Sequence, residues 1–247
     1  MTRHVGDALV TERSPRLRSG RVVSIGIAPW GIVENRHTLV QQNKDVSYHS
    51  LANPASKFSP LNQLHSHFLL VDNGTVGKYG AELALRRKLE KFISTQQLNA
   101  SQNRHEPYYT HCSTPLVCLV IEGGTNTIRA VLEYVTSSPP VPVVIFDGTG
   151  RAADLLAFAH RYMGEDGDTS VINEMYEELI QMIQRTFQVD TEQADQLLKE
   201  LLRCVKKRNL VTVFRCSDEN SIEESPSVEL DHTILNALFK SQHLSPT

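Results

Sequence analysis

Short runs of apolar residues recur along this 247-residue chain and are separated by turns rich in glycine and proline. Each run is continuous rather than alternating, which is typical of strands buried on both faces of a parallel sheet. Five strands are therefore predicted, at residues 21–27, 67–71, 116–121, 141–146 and 210–214. The first four of these runs end at glycine or small polar residues.

Between the runs, apolar residues recur at the three- and four-residue spacing of amphipathic helices. Leu85, Leu89, Phe92 and Ile93 give one clear stripe. Further stripes lie at 128–135, 155–159, 179–187, 197–205 and 234–239. Strands that alternate with helices predict an α/β domain of the doubly wound type, with a mainly parallel sheet flanked by helices.

The alternation extends over residues 21–216, which we predict to be one α/β domain. It contains a polar insertion at 99–114 and a helical pair at 169–208. Residues 1–20 are predicted to be a partial N-terminal helix and a basic linker. Residues 217–247 are predicted to be a linker and a C-terminal helix.

The composition excludes some classes of function but does not identify the function. Hydrophobic residues make up 40% of the chain, and 25 basic residues against 28 acidic ones give a net charge of −3. This balance argues against nucleic acid as a partner. No apolar run approaches a membrane span, and the Arg-rich start is unlike a secretory signal, so we expect a soluble cytosolic object. The cysteines form no CxxC pair, so reduced, buried thiols are expected at Cys118 and Cys204, and no metal site.

Glycine turns at the ends of the predicted strands are the main candidates for ligand binding. The carboxyl ends of parallel strands line a common crevice, and helix N-termini attract anions. The candidates are Gly26, Ala28, Trp30, Gly74, Thr75, Tyr79, Gly123, Gly124, Thr125, Gly148, Thr149, Gly150 and Arg151. A glycine after a strand more often serves the turn itself, and no loop here matches a dinucleotide-binding or P-loop motif. Trp30 is more typical of a packing anchor than of a stacking platform.

Two further clusters carry weaker signals. His65 and His67 alternate along a predicted strand, so they face opposite ways and are unsuited to one metal. Lys206, Lys207 and Arg208 follow a helical stripe, where basic residues complement the helix dipole; a contact with a partner is the alternative interpretation. No Ser-His-Asp nucleophile motif is present.

Longer motifs carry a family resemblance. They are GIAPWGIVEN at 26–35, HSHFLLVDNGTVGKYGAELALRRKLEKFIS at 65–94, LVIEGGTNTIRAVLEY at 119–134, PPVPVVIFDGTGRAADLLAF at 139–158 and VTVFR at 211–215. These segments closely resemble the cytosolic N-terminal melastatin homology region of the melastatin (TRPM) subfamily of TRP cation channels. The resemblance covers roughly residues 4–240 and is closest to the branch that holds the channel-kinases.

The resemblance implies a Rossmann-like SLOG domain on the cytoplasmic side of a calcium-transporting channel, with the plasma membrane as its expected location. The implied partners are the other subunits of a homo- or heterotetramer, and the implied membrane contact is only through the rest of the channel, which is absent from this chain. In the ADP-ribose-gated branch of the family, the same crevice binds ADP-ribose or a relative, and arginines that match Arg86 and Arg151 hold the ligand, with Tyr79 nearby. ADP-ribose or a related nucleotide is therefore the expected ligand.

Departures from the pattern separate three functional hypotheses. Related LOG enzymes carry a PGGxGTxxE motif, in which this chain has Glu122 for the proline, Asn126 for a glycine and Ala130 for the catalytic glutamate. We therefore expect no such enzyme activity, although a LOG-like nucleotide-processing enzyme and a ligand-free subunit-packing scaffold stay as alternatives. The strand and glycine-rich turn that precede residues 3–9 in the family are not found here, so the first strand is expected to be missing.

Overall fold

A computed structural model describes most of the chain between residues 23 and 242. The described residues are 5, 8, 23–49, 56–96, 114–164, 170, 174–215 and 226–242. The strands are β1 (Ile25–Pro29), β2 (His67–Val71), β3 (Cys118–Val120), β4 (Val143–Asp147) and β5 (Val211–Arg215). The helices are α1 (Ala81–Ser94), α2 (Thr125–Thr136), α3 (Arg151–Tyr162), α4 (Tyr176–Phe187), α5 (Thr191–Val205) and α6 (Pro226–Gln242). Every predicted strand and helical stripe corresponds to one of these elements.

Strand pairing among the described residues is parallel throughout. β1 pairs with β2, from Ile25 opposite His67 to Pro29 opposite Val71. β4 lies between β3 and β5 in a three-stranded sheet. Parallel strands flanked by helices confirm the predicted α/β, Rossmann-like architecture. The predicted insertion at 99–114 lies outside the described residues except for Thr114, and the predicted N-terminal helix except for residues 5 and 8.

The chain divides into two compact units, Met1–Ile93 and Ser94–Thr247. The first unit holds β1, β2 and α1, with short 3₁₀ turns at Trp30–Ile32 and Arg36–Leu39. The second unit holds the three-stranded sheet and α2 to α6. The boundary falls inside the range 21–216 that the sequence pattern predicts as one domain.

The core of the second unit is built on β4. Val143, Val144 and Ile145 are all 0% exposed, so both faces of this strand are covered. Val144 packs with Phe214 and Ala237, the last from α6. The alternate residues point to the other face, where α3 packs on β4, and α2 and α5 pack on α3. The prediction of a strand buried on both faces is confirmed for β4.

The sheet of the first unit is less covered. Ile25 on β1 is 44% exposed, and Leu69 on β2 is 37% exposed. The prediction of burial on both faces is therefore wrong for these two strands. The physical reason is incomplete covering, because α1 contributes no fully buried residue to the packing of this unit.

A close backbone approach ties the first unit together. Gly77 N donates to Gly31 O at 3.0 Å. A Cβ atom at Gly31 would lie 1.8 Å from Thr75 O, so glycine is required there. The glycine of the APWG segment thus allows the chain after β1 to touch the loop after β2.

The two described cysteines differ in burial: the predicted burial is confirmed for Cys204, whereas Cys118 is only half-buried. Cys204 is fully buried, and its Sγ donates to Glu200 O at 3.2 Å. Burial raises the pKa of this thiol to about 12, which makes it unreactive at neutral pH. Cys112 and Cys216 lie outside the described residues.

Candidate anion-binding site

The turns that follow β3 and β4 lie against each other in the second unit. Glu122 N donates to Thr149 Oγ1 at 2.9 Å, and Ala153 N donates to Glu122 O at 2.9 Å. Ala152 N also reaches Gly123 O at 3.4 Å. These hydrogen bonds join residues 122–125 and 148–151, two of the predicted ligand loops, into one structure at the carboxyl edge of the sheet.

The two glycine amides of the second of these turns are already satisfied. Gly148 N and Gly150 N both donate to Asp154 Oδ1 at 2.9 Å. The amides of Ala152 and Ala153, in the first turn of α3, bind the carbonyls of the neighbouring turn. The glycine amides of this turn are therefore not open to a ligand, and the main group that the turn contributes is the Arg151 side chain.

The turn after β3 is more open. Gly124 is the N-cap of α2, and Gly124 N donates to Thr127 Oγ1 at 3.1 Å. The amides of the next two residues, Thr125 and Asn126, make no hydrogen bond to a protein group in the described part of the chain. Free amides at a helix N-terminus, together with the positive end of the helix dipole, attract anions.

Arg151 lies over this helix start. Its Nη2 atom is 4.0 Å from the position that a Cβ of Gly124 would take. The side chain is exposed, and no carboxylate within the described ranges pairs with it. The Arg151 guanidinium and the open N-terminus of α2 are both positive, so an anion between them would stabilise the arrangement.

Two residues of the joined turns have positive φ without being glycine, namely Glu122 at 53° and Arg151 at 55°. Such left-handed conformations cost about 1–3 kcal/mol each and cluster at functional sites. Neither conformation is predictable from the sequence, because both residues adjoin glycines that could have taken the strained position.

Asp147 is a member of this edge that the motif analysis missed. Its Oδ2 atom accepts from Arg161 Nη2 at 2.9 Å and from Arg215 Nε at 2.6 Å. The carboxylate therefore balances two arginines, whereas Arg151 beside it has no such acceptor among the described residues. A charged residue at the end of a buried strand was the available signal.

Candidates of the first unit have local partners. Gly74 N donates to Asp72 Oδ1 at 2.9 Å, and Thr75 N donates to Asn73 Oδ1 at 3.1 Å, so the turn satisfies its own amides. Arg86 Nε lies 3.4 Å from Glu90 Oε1, one helical turn along α1.

The Tyr79 hydroxyl, on an exposed side chain, lies 3.4 Å from Ser59 Oγ. Gly26 lies on β1, where a Cβ would meet the Phe68 ring at 2.3 Å, so packing explains this glycine. Ala28 pairs with Leu70 across the sheet, and Trp30 begins a 3₁₀ turn with its side chain half-buried.

The chain is similar to a defined family of channel domains. The family model for SLOG in TRPM matches residues 1–204. The chain is 58% identical, over its full length, to the transient receptor potential cation channel trpm of Drosophila melanogaster. It is 46% identical over 98% of its length to subfamily M member 1 of Rattus norvegicus, and 45% identical over 99% to subfamily M member 7 of Homo sapiens.

These similarities cover only a small part of each relative. The chain spans 12% of the Drosophila channel, 14% of the rat protein and 12% of the human protein. Within the described ranges, no helix combines the length and the apolar character that crossing a membrane requires.

Proposed function

The chain belongs to the family of SLOG domains found in TRPM channels, and we propose that it serves as a cytosolic regulatory and assembly domain of a melastatin-type cation channel. The family agrees with the one indicated by the sequence motifs. In this proposal, the domain packs between subunits of a homo- or heterotetramer at the plasma membrane. It responds to a nucleotide-like anion, ADP-ribose or a relative.

The ligand-binding part of the proposal rests on one observation: the Arg151 guanidinium lies beside the open N-terminus of α2. The amides of Thr125 and Asn126 and the Thr125 hydroxyl offer donors to a phosphate oxygen, and the guanidinium offers a planar pair of donors. Gly124 leaves room for the phosphate because it has no side chain. A diphosphate such as that of ADP-ribose has the charge and the acceptor geometry for these donors.

Regulation would follow from a shift in populations. A phosphate bound between Arg151 and Thr125 bridges the starts of α3 and α2. The ligand favours the arrangement of the two helices that places these donors together. The conformational equilibrium shifts by the difference between the ligand's binding free energies for the two arrangements. Neighbouring subunits packed on the domain would then sense that arrangement.

Arg86 and Tyr79 enter the proposal through the family resemblance alone. For Arg86 to hold a ligand, its ion pair with Glu90 would be exchanged for a phosphate contact. This pair joins two partly exposed side chains one turn apart in α1.

Calorimetry with ADP-ribose tests the proposal. Arg151→Gln should weaken binding by about tenfold or more, because a charge-assisted hydrogen bond contributes about 1.5–3 kcal/mol. Arg129→Gln is the matched control, since this arginine starts from the same charge but pairs with Glu200 at 3.2 Å. The control should bind within about twofold of wild type.

The outcomes separate the hypotheses. Equal affinity of wild type and Arg151→Gln would remove this site from the proposal. A wild-type chain that gives no heat with ADP-ribose or ADP would leave the subunit-packing scaffold as the function. Hydrolysis of nucleoside monophosphates would favour the LOG-like alternative, although the position of the catalytic glutamate is here Ala130, a side chain buried in α2.

A further inference from the structure

A basic groove lies at the opposite edge of the three-stranded sheet. Its cavity has a volume of about 380 Å³, and Val135, Pro140 and Leu210 form its apolar lining. Leu210 O accepts from Val143 N at 2.8 Å, which places the groove at the amino-terminal edge of β4 and β5. The five residues of β4 span about 16 Å, so the groove is separate from the Arg151 site at the carboxyl edge.

Three consecutive cations line this groove, Lys206, Lys207 and Arg208. No acidic residue lines it, and none of the three side chains forms an ion pair with a carboxylate in the described part of the chain. The dipoles of α5, which ends at Val205, and of α2, which ends at Thr136, both direct partial negative charge of about half a unit to this edge. The three full side-chain charges exceed these two partial charges. The concentration of positive charge around a cavity is then unbalanced.

Hydrogen bonds fix the Arg208 side chain and the backbone that carries the three cations. The Arg208 guanidinium donates to the carbonyl of Met163, the residue that ends α3. Leu210 N donates to Lys207 O at 2.9 Å, and Val211 N donates to Arg208 O at 3.2 Å. These bonds fix the turn between α5 and β5, so an anion that binds there meets charges already gathered.

We propose that this groove binds a polyphosphate group, as a free chain or as the triphosphate of a nucleotide. The cavity has the size of small-molecule sites, which run from about 300 to 1,000 Å³. Two exposed lysine ammonium groups and a fixed guanidinium suit several linked phosphates better than one carboxylate. The site is independent of the one assigned to ADP-ribose, and either can fail without the other.

Calorimetry with inorganic tripolyphosphate tests this site in the Arg151→Gln chain, which removes the arginine of the other edge. Replacing both Lys206 and Lys207 by Gln should weaken binding by about tenfold or more. Arg208 is left unchanged because it also holds Met163. The control replaces the exposed Lys44 and Lys78 by Gln, which alters the net charge equally and should cost less than about twofold.

A second arm identifies the form of the ligand. Uridine triphosphate that binds as tightly as tripolyphosphate, with the same loss in the double variant, assigns the site to nucleotide triphosphates. Binding of tripolyphosphate alone assigns it to the free chain. Absence of heat with both probes, an equal loss in the control, or inorganic phosphate binding as tightly as tripolyphosphate would each overturn the proposal.

Discussion

Strands β4 and β2 are almost equally apolar in sequence, yet their side chains are buried to different extents. The VVIFD strand has three residues with no exposed surface, whereas the HFLLV strand leaves Leu69 more than one-third exposed. The difference lies in what each unit provides around its sheet, since helices cover both faces of β4. A continuous apolar run thus identifies a strand but does not reveal how many layers cover it.

The test with the largest expected effect on stability compares two leucine truncations, one in each unit. Leu198→Ala removes a fully buried side chain of α5 and should lower the free energy of unfolding by about 3–4 kcal/mol. Leu69→Ala makes the same chemical change on β2 and should cost about 1–2 kcal/mol, because less surface is lost from burial. Urea denaturation of each variant measures both. Equal losses would mean that the two sheets are stabilised alike.

A second test shows where the first unit is tightly packed despite its exposed sheet. Gly31→Ala would place a Cβ against the Thr75 carbonyl and should cost about 2–3 kcal/mol. Gly74→Ala is the control, because it has φ of +77° but open space around its Cβ, and should cost about 1–2 kcal/mol. Thermal unfolding distinguishes the two. A Gly31 variant as stable as wild type would show that the contact between the two loops yields easily.

A third test examines a helix of the better packed unit. Asp190 is the N-cap of α5, and its side chain accepts from Gln193 N at 2.8 Å. Asp190→Ala should cost about 1 kcal/mol in denaturation experiments, as helix caps usually do. Glu192→Ala, in the same helical turn, is expected to cost only a few tenths. Similar losses for both would assign the effect to charge rather than to the cap.

The smallest effect is a dependence on pH. Burial, with help from Arg208 and Lys240, lowers the pKa of His160 below its usual value of 6.5. Below pH 6.5 the unfolded chain therefore binds more protons at this residue than the folded chain does. The free energy of unfolding should fall as the pH drops below that value. His160→Gln should flatten this part of the profile, measured by unfolding between neutral and mildly acidic pH. An unchanged profile in His160→Gln would assign the acid sensitivity to other groups.

Most of the fold is predictable from the sequence, and the main error concerns a glycine that lies inside a strand. The interval 67–71 matches β2, because a hydrophobic run there ends at a true turn. The interval 21–27 predicts the first strand too early, since β1 extends over Ile25–Pro29. Gly26 is a predicted ligand residue, whereas in the structure it lies inside β1 and makes room for the Phe68 ring.

The candidate site was only partly predictable for a similar reason. Motif reasoning located the turns after β3 and β4, but it could not determine which amides remain open. That depends on Asp154, four residues beyond Gly150, and on carbonyls supplied by a different turn. The left-handed conformations of Glu122 and Arg151 likewise arise from how the two turns fit together. Such features belong to three-dimensional packing and leave no local pattern.

The hydrogen bonds that close the start of α3 also make this helix a mechanical link. Ala152 and Ala153 attach its first turn to the turn after β3, and Met163 attaches its end to Arg208. Twelve helical residues form a rod about 18 Å long, nearly the height of the sheet. A displacement of that rod along its axis would move both edges together, so the two proposed sites have one supporting element in common.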